Sequence, residues 1–258
     1  MNGLQKKSKR IFENVGALAL FGGKFFVEVF RPPLEIKEII KQTFDIGVRS
    51  FRLVAVVAVV IGAVLTMQSR PTMIKFGAEA FVPAMVAVSV LRELSPVLIS
   101  VIVAGRVAAG IGAELGSMKV TEQIDAMEVA ALNPYKYLVV TRIVACMIAL
   151  PLLTIYGDFI ALFGSYLVQQ IEADMSPILF YNSVMSSVGF ADFIPGVLKT
   201  IVFGYIIGLV GCYEGFHSEG GTEGVGRSAT DAVVVSSLLI LIVDVLAVKV
   251  TVFFFDLG

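Results

Sequence analysis

The chain has 258 residues, of which 57% are hydrophobic and only 16% charged, with 20 lysines and arginines against 21 aspartates and glutamates. A mean hydropathy of +0.89 excludes an ordinary soluble domain and identifies a membrane protein, and nothing points to a nucleic-acid partner. Cys146 and Cys212 lie in apolar stretches without CxxC spacing, and His217 is the only histidine, so neither a disulfide framework nor a metal site is expected.

In chain order, the N-terminal "MNGLQKKSKR" is basic. The following "IFENVGALALFGGKFFVEVF" carries Glu13, Lys24 and Glu28 and no clear small-residue cleavage site, so no cleavable signal peptide is expected. "RPP" at 31–33 separates this helix from the next, because prolines stop one helix and can open another. In "LEIKEIIKQTFDIGVRSF", Ile36, Ile39, Ile40, Phe44, Val48 and Phe51 recur at helical spacing opposite Lys37, Glu38, Lys41, Asp45 and Arg49. That is the pattern of a helix lying in the membrane interface. Residues 1–49 are therefore expected to form an N-terminal interfacial helical region, and 50–258 one membrane domain without internal repeats.

Apolar stretches at 50–69, 80–105, 138–169, 193–213 and 231–255 reach about the 20 residues needed to cross a hydrocarbon core of roughly 30 Å. The fold class expected is thus all-α, with five transmembrane helices. Of the 20 basic residues, ten fall in residues 1–52, four are Arg106, Lys119, Lys136 and Arg142, and none lies between Gln169 and Asp192. The positive-inside rule then puts the N-terminus and the 106–137 loop in the cytoplasm and the 170–192 segment and C-terminus outside. Arg70 and Lys75, after the first span, are a minor exception.

The second span holds "SVLRELSPVL", with Arg92 and Glu93 at its centre. Neighbours on a helix diverge by about 100°, so the two cannot neutralise each other and each needs another partner. A charge at a span centre costs about 2.5–3.5 kcal/mol on insertion scales, so both should face protein or a wet cavity. Pro96 lacks an amide hydrogen and crowds the carbonyl at 92, which predicts a bend beside the charges. Two readings stand: ion pairing with the other intramembrane charges, Lys199 and Asp244, or a polar notch in a ligand cavity.

The loop "AGRVAAGIGAELGSMKVTEQIDAMEVAALNP" sets Val120, Ile124, Met127 and Ala131 on one stripe and Glu122, Asp125 and Glu128 off it. A short helix with an acidic edge is expected there, suited to docking a cytosolic partner, and Asn133-Pro134 caps the next span. "GTEGVGRS" at 221–228 has nearly phosphate-loop spacing, but between two spans it lacks the strand–loop–helix context, and no nucleotide site is assigned to it.

"LRELSPVL", the long central loop and "EGVGRSATDAVV" resemble the signatures of MlaE-type permeases, the membrane subunits of ABC lipid transporters that work with MCE-domain proteins. The resemblance covers nearly the whole chain. It implies a homodimer in the bacterial inner membrane, a cytosolic ABC ATPase on each loop helix, and an MCE-domain partner outside. It implies phospholipid as substrate, in the service of outer-membrane lipid asymmetry. No cofactor is expected in this chain, ATP and magnesium belonging to the ATPase. The resemblance nominates Leu65, Met73, Phe76 and Leu94 as lipid-cavity residues beside Arg92 and Glu93. For ATPase coupling, Glu114 and Lys119 join Glu122, Asp125 and Glu128. The residues by themselves also leave open an ion-coupled transporter or a membrane scaffold for cytosolic partners.

Overall fold

The computed structural model describes residues 2–33 and 35–255, without the side chains of residues 2–12, 14, 252, 254 and 255. The side chains of the basic N-terminal tract, and Leu34 at the head of the amphipathic segment, lie outside the described residues. Those described are helical nearly throughout. Helix α1 (Asn2–Glu28) is followed, after the proline break, by α2 (Ile36–Lys75). A short 3-10 turn (Glu79–Phe81), α3 (Val82–Ser89), a wide turn (Val90–Leu94) and α4 (Ser95–Val120) follow as one near-continuous rod. Then come α5 (Gln123–Val129), α6 (Thr141–Ala173) with a wide first turn (Tyr135–Val140), α7 (Pro177–Ser187), α8 (Phe190–Phe216) and α9 (Gly221–Phe255).

Among the described residues, five helical stretches are long and apolar enough to cross a membrane: Ile36–Lys75, Glu79–Val120, Tyr135–Ala173, Phe190–Phe216 and Gly221–Thr251. They coincide with the five expected spans. At the N-terminal end the structure adds something to the sequence reading. The amphipathic segment does not stop before the first span but runs into it as one helix of 40 residues, because no proline intervenes between Ile36 and Gln68. Its exposed face carries Ile36, Ile40, Phe44, Val48 and Phe51, the stripe expected to face the interface.

The central span α6 packs against α2 on one side and α8 on the other, while α4 packs against α8 and α9. The α2–α6 seam is close because Gly62 lies on the carbonyl of Ala161 and Gly164 on the carbonyl of Val59; a Cβ on either would overlap those oxygens. Small residues let membrane helices approach to backbone contact, where dispersion and hydrogen bonding replace the absent hydrophobic drive. Here Thr66 Oγ1 bonds Ser165 Oγ at 2.7 Å across the seam.

Helix α1 docks through Phe25, which is buried, and through Phe21, whose ring meets those of Tyr135, Tyr213 and Phe216. Tyr135 also donates its hydroxyl to the Phe21 carbonyl. His217 is exposed at the end of α8, as a loop histidine should be. Arg70, the exception to the charge rule, bonds Glu79 at 2.7 Å and Glu172 at 3.1 Å, so its charge is offset at the ends of the second and third spans.

Candidate functional site

The wide turn at Val90–Leu94 sits where Pro96 removes a donor from the helix ladder. The amide of Ser95 reaches the carbonyl of Val90, five residues back, and Ser100 Oγ donates to the Pro96 carbonyl at 2.5 Å. Turns of this kind mark functional segments of helices more often than regular ones. The wide turn coincides with the Arg92–Glu93 pair.

The two charges diverge as consecutive helical residues must. Arg92 pairs with Asp192 in the first turn of α8, whose other oxygen accepts the Gly189 amide at 2.7 Å. Glu93 accepts from Lys199 Nζ at 2.5 Å, and the same ammonium reaches Asp244 of α9 at 2.8 Å. Gly196, one turn before Lys199, lies against the Leu91 carbonyl with no room for a Cβ, and that approach carries α8 close enough for Lys199 to reach Glu93. Spans two, four and five are thus joined by two cations and three carboxylates. The ion pair of Glu93 with Lys199 corresponds to one of the two readings left open by the sequence, while the Asp192 partner of Arg92 is not among the charges picked from sequence. "GFAD" at 189–192, a glycine followed three residues later by an acid, is the helix-start pattern that could have revealed it.

Burial divides this cluster unevenly. The side chain of Lys199 is 7% exposed and that of Asp244 15%, whereas those of Arg92 and Glu93 are 53% and 43% exposed. An arginine and a glutamate half-open to the outside of the protomer, at the centre of an apolar span, face something other than hydrocarbon.

Of the remaining residues nominated for a lipid cavity, Leu94 is half-buried on the same wide turn. Leu65 and Met73 pack against Ala58, Val82, Val86 and Val90. Phe76 follows the end of α2 and is exposed.

The loop between spans two and three forms the expected short helix, α5. Ile124 is buried and Met127 packs on the main core, while Glu122, Asp125 and Glu128 are exposed. Lys119 bonds Asp125 at 2.8 Å. Glu114 accepts from Arg142 at 2.8 Å, the guanidinium being buried at the start of the third span. Val129 and Leu132 stand exposed beside the acids, so the face is acidic and apolar at once. A helix of seven residues is too short to persist alone in water; Ile124 and Met127 hold it to the core. "GTEGVGRS" forms the first turns of α9.

Five apolar spans, an intramembrane charge cluster opening outward and a helix displayed on a polar loop define a multi-pass membrane transport protein. The model of the MlaE permease family matches residues 39–250, and the chain belongs to that family. A probable ABC transporter permease protein of Rickettsia felis is 41% identical over 241 residues, 93% of each chain. One of Synechocystis sp. is 35% identical over 90% of this chain and 88% of its own length. The chloroplastic protein TRIGALACTOSYLDIACYLGLYCEROL 1 of Arabidopsis thaliana is 30% identical over 92% of this chain and 67% of its own. The chain is a transporter permease.

Proposed function

We propose that this permease moves phospholipid across or out of the bacterial inner membrane, as a homodimer powered by cytosolic ABC ATPases that carry the ATP and magnesium, and that it exchanges lipid with an MCE-domain partner to maintain outer-membrane lipid asymmetry. The observation that carries the reading is the half-exposed Arg92–Glu93 turn. In a dimer these side chains would border a shared cavity, with guanidinium geometry suited to a phosphate and apolar neighbours such as Leu94 suited to acyl chains. Leu65, Met73 and Phe76 belong to the same proposed surface. The name of the Arabidopsis relative contains a galactolipid, which supports a lipid cargo. Lys199 and Asp244 hold Glu93 in place, leaving Arg92 to meet the headgroup. The N-terminus and α5 lie on the cytoplasmic side in this reading and the C-terminus on the periplasmic side.

The ATPase docks on α5, where Glu122, Asp125 and Glu128 offer charge and Val129 offers contact area, with Glu114 and Lys119 steadying the approach. Reversing Glu122 and Asp125 to lysine together should release the ATPase while the permease remains folded, since both side chains are exposed. Co-purification and lipid-stimulated ATP hydrolysis read the result; a double variant that keeps both would defeat the docking assignment. A photo-crosslinker at Leu94 should capture lipid in the assembled complex. Crosslinks to protein alone, together with normal transport by Arg92→Ala, would reduce the charge cluster to a packing device.

A further inference from the structure

The third span carries an acid that the charge cluster does not use. Asp158 of α6 is 2% exposed, and neither of its carboxylate oxygens has a hydrogen-bond partner. The neighbouring Ser95 is fully buried, and no bond of regular geometry joins its hydroxyl to the acid. The other buried acids, Glu28 and Asp192, are each paired with an arginine. Asp158 is the exception among the described residues.

Asp158 lies on the wall of a cavity of about 410 Å³ between spans two and three, α7 and the first turn of α8. Leu91 and Leu162 line it, as do Phe159, Met185 and Phe190, which are themselves exposed. The cavity therefore opens on an apolar surface of the protein, the kind that hydrocarbon covers. Neither Arg92 nor Glu93 lines it, although Leu91 and Gly189, neighbours of the Arg92–Asp192 pair, do; the cavity adjoins the charge cluster, and the site rests on its own lining and not on the proposed transport cavity.

A buried polar group without a partner is costly, and such groups are uncommon enough that each needs a cause. Apolar walls with one or two convergent polar groups are the makeup of small-molecule sites, whose volumes run from about 300 to 1,000 Å³. A volume near the lower bound suits a headgroup or one chain of an amphiphile, with the remainder lying along the exposed phenylalanines. Beside the acid the Ser95 hydroxyl offers a single O–H without regular geometry, which leaves the carboxylate open to a stronger donor, and a cationic donor complements a carboxylate best.

We propose that this cavity binds the primary-ammonium head of a membrane amphiphile of the aminophospholipid class, its N–H groups donating to Asp158. The full-length chain in phosphatidylcholine nanodiscs is doped with one of three lipids carrying the same photoreactive acyl chain. Phosphatidylethanolamine offers a cation with N–H donors, phosphatidylcholine a cation without them, and phosphatidylglycerol hydroxyl donors on an anion. Crosslinks to the peptides bearing Phe159 and Met185 should be about tenfold more abundant with phosphatidylethanolamine than with either other lipid. Asp158→Asn should abolish that preference. Met185→Trp, at the exposed rim, should lower labelling by all three without touching the acid, and it keeps the test decisive if the asparagine variant fails to assemble. Equal labelling by the three lipids, or a preference that survives Asp158→Asn, overturns the site. Phosphatidylcholine labelling equal to phosphatidylethanolamine overturns the donor requirement, and a phosphatidylglycerol preference overturns the ammonium assignment.

Discussion

Spans three and five are similar in hydropathy and opposite in circumstance. The most apolar window of span three is 67% buried within the protomer, that of span five only 11%. Span three lies against α2 and α8, meets α2 through glycine contacts, and carries polar groups inward: Thr154 bonds the Leu150 carbonyl at 3.0 Å, and Arg142 bonds the Leu138 carbonyl at 3.0 Å. Span five shows Val234, Leu238, Leu241 and Val245 on one exposed stripe, with Lys199 reaching Asp244 from within. Apolar composition specifies that a helix enters the bilayer; small residues and polar groups decide whether protein or something else covers it.

The largest effect expected comes from the α2–α6 seam. Gly62→Leu or Gly164→Leu must push two backbones apart, and overpacking of this kind costs about 3 kcal/mol or more. Loss of a monodisperse peak in detergent and a collapse of thermal unfolding temperature are the measurements. A leucine tolerated at either position would mean that span three is not clamped as described.

Next in size is the tether of span five. Lys199→Met leaves Glu93 and Asp244 facing each other without a cation, and breaking one partner of a buried pair costs about 3 kcal/mol. Because Glu93 is partly open, Glu93→Gln alone should cost less. Combining Lys199→Met with Glu93→Gln and Asp244→Leu should recover most of the loss. Failure of the triple variant to recover would show that the charges do more for folding than neutralise one another.

The same contrast explains what the sequence made legible. Hydropathy revealed the five spans, since it is a linear property of the chain, and 3.6-residue periodicity revealed α5 and the amphipathic stripe of α2. Fusion of that stripe with the first span was hidden, because nothing in the residues marks where an amphipathic helix turns into the bilayer. Helix α7 was missed although Ser176 caps it, accepting the Leu179 amide at 3.3 Å just before Pro177; a serine–proline pair is a readable start signal. Arg92 and Glu93 announced themselves by the cost of burying charge. The same rule would have flagged Asp158 in "YGDFIALFG", but its isolation and its cavity are set by spans and helices distant in the chain. The reach of Lys199 to Glu93 depends on the Gly196 approach, a tertiary feature with no local signature, whereas Asp192 could have been read from its helix-start pattern.

The smallest effect expected lies on the stripe of span five. Leu238→Ala, Leu241→Ala and Val245→Ala together remove three side chains from a face that makes few contacts inside the protomer. If lipid covers that face, the protein loses almost nothing, because lipid tails solvate alanine and leucine alike. The stability of the protomer should then change by less than about 0.5 kcal/mol per site, well below the effect of the glycine variants of the seam. If a second copy covers it, as the proposed homodimer allows, truncation removes packing at an interface without harming the fold beneath. Thermal unfolding and native mass spectrometry of the same sample separate the outcomes: an unchanged protomer with a lost dimer assigns the stripe to self-association, and an unchanged protomer with an unchanged dimer assigns it to lipid. A destabilised protomer would contradict both, and would mean that span five is held by its apolar stripe as span three is held by its glycines.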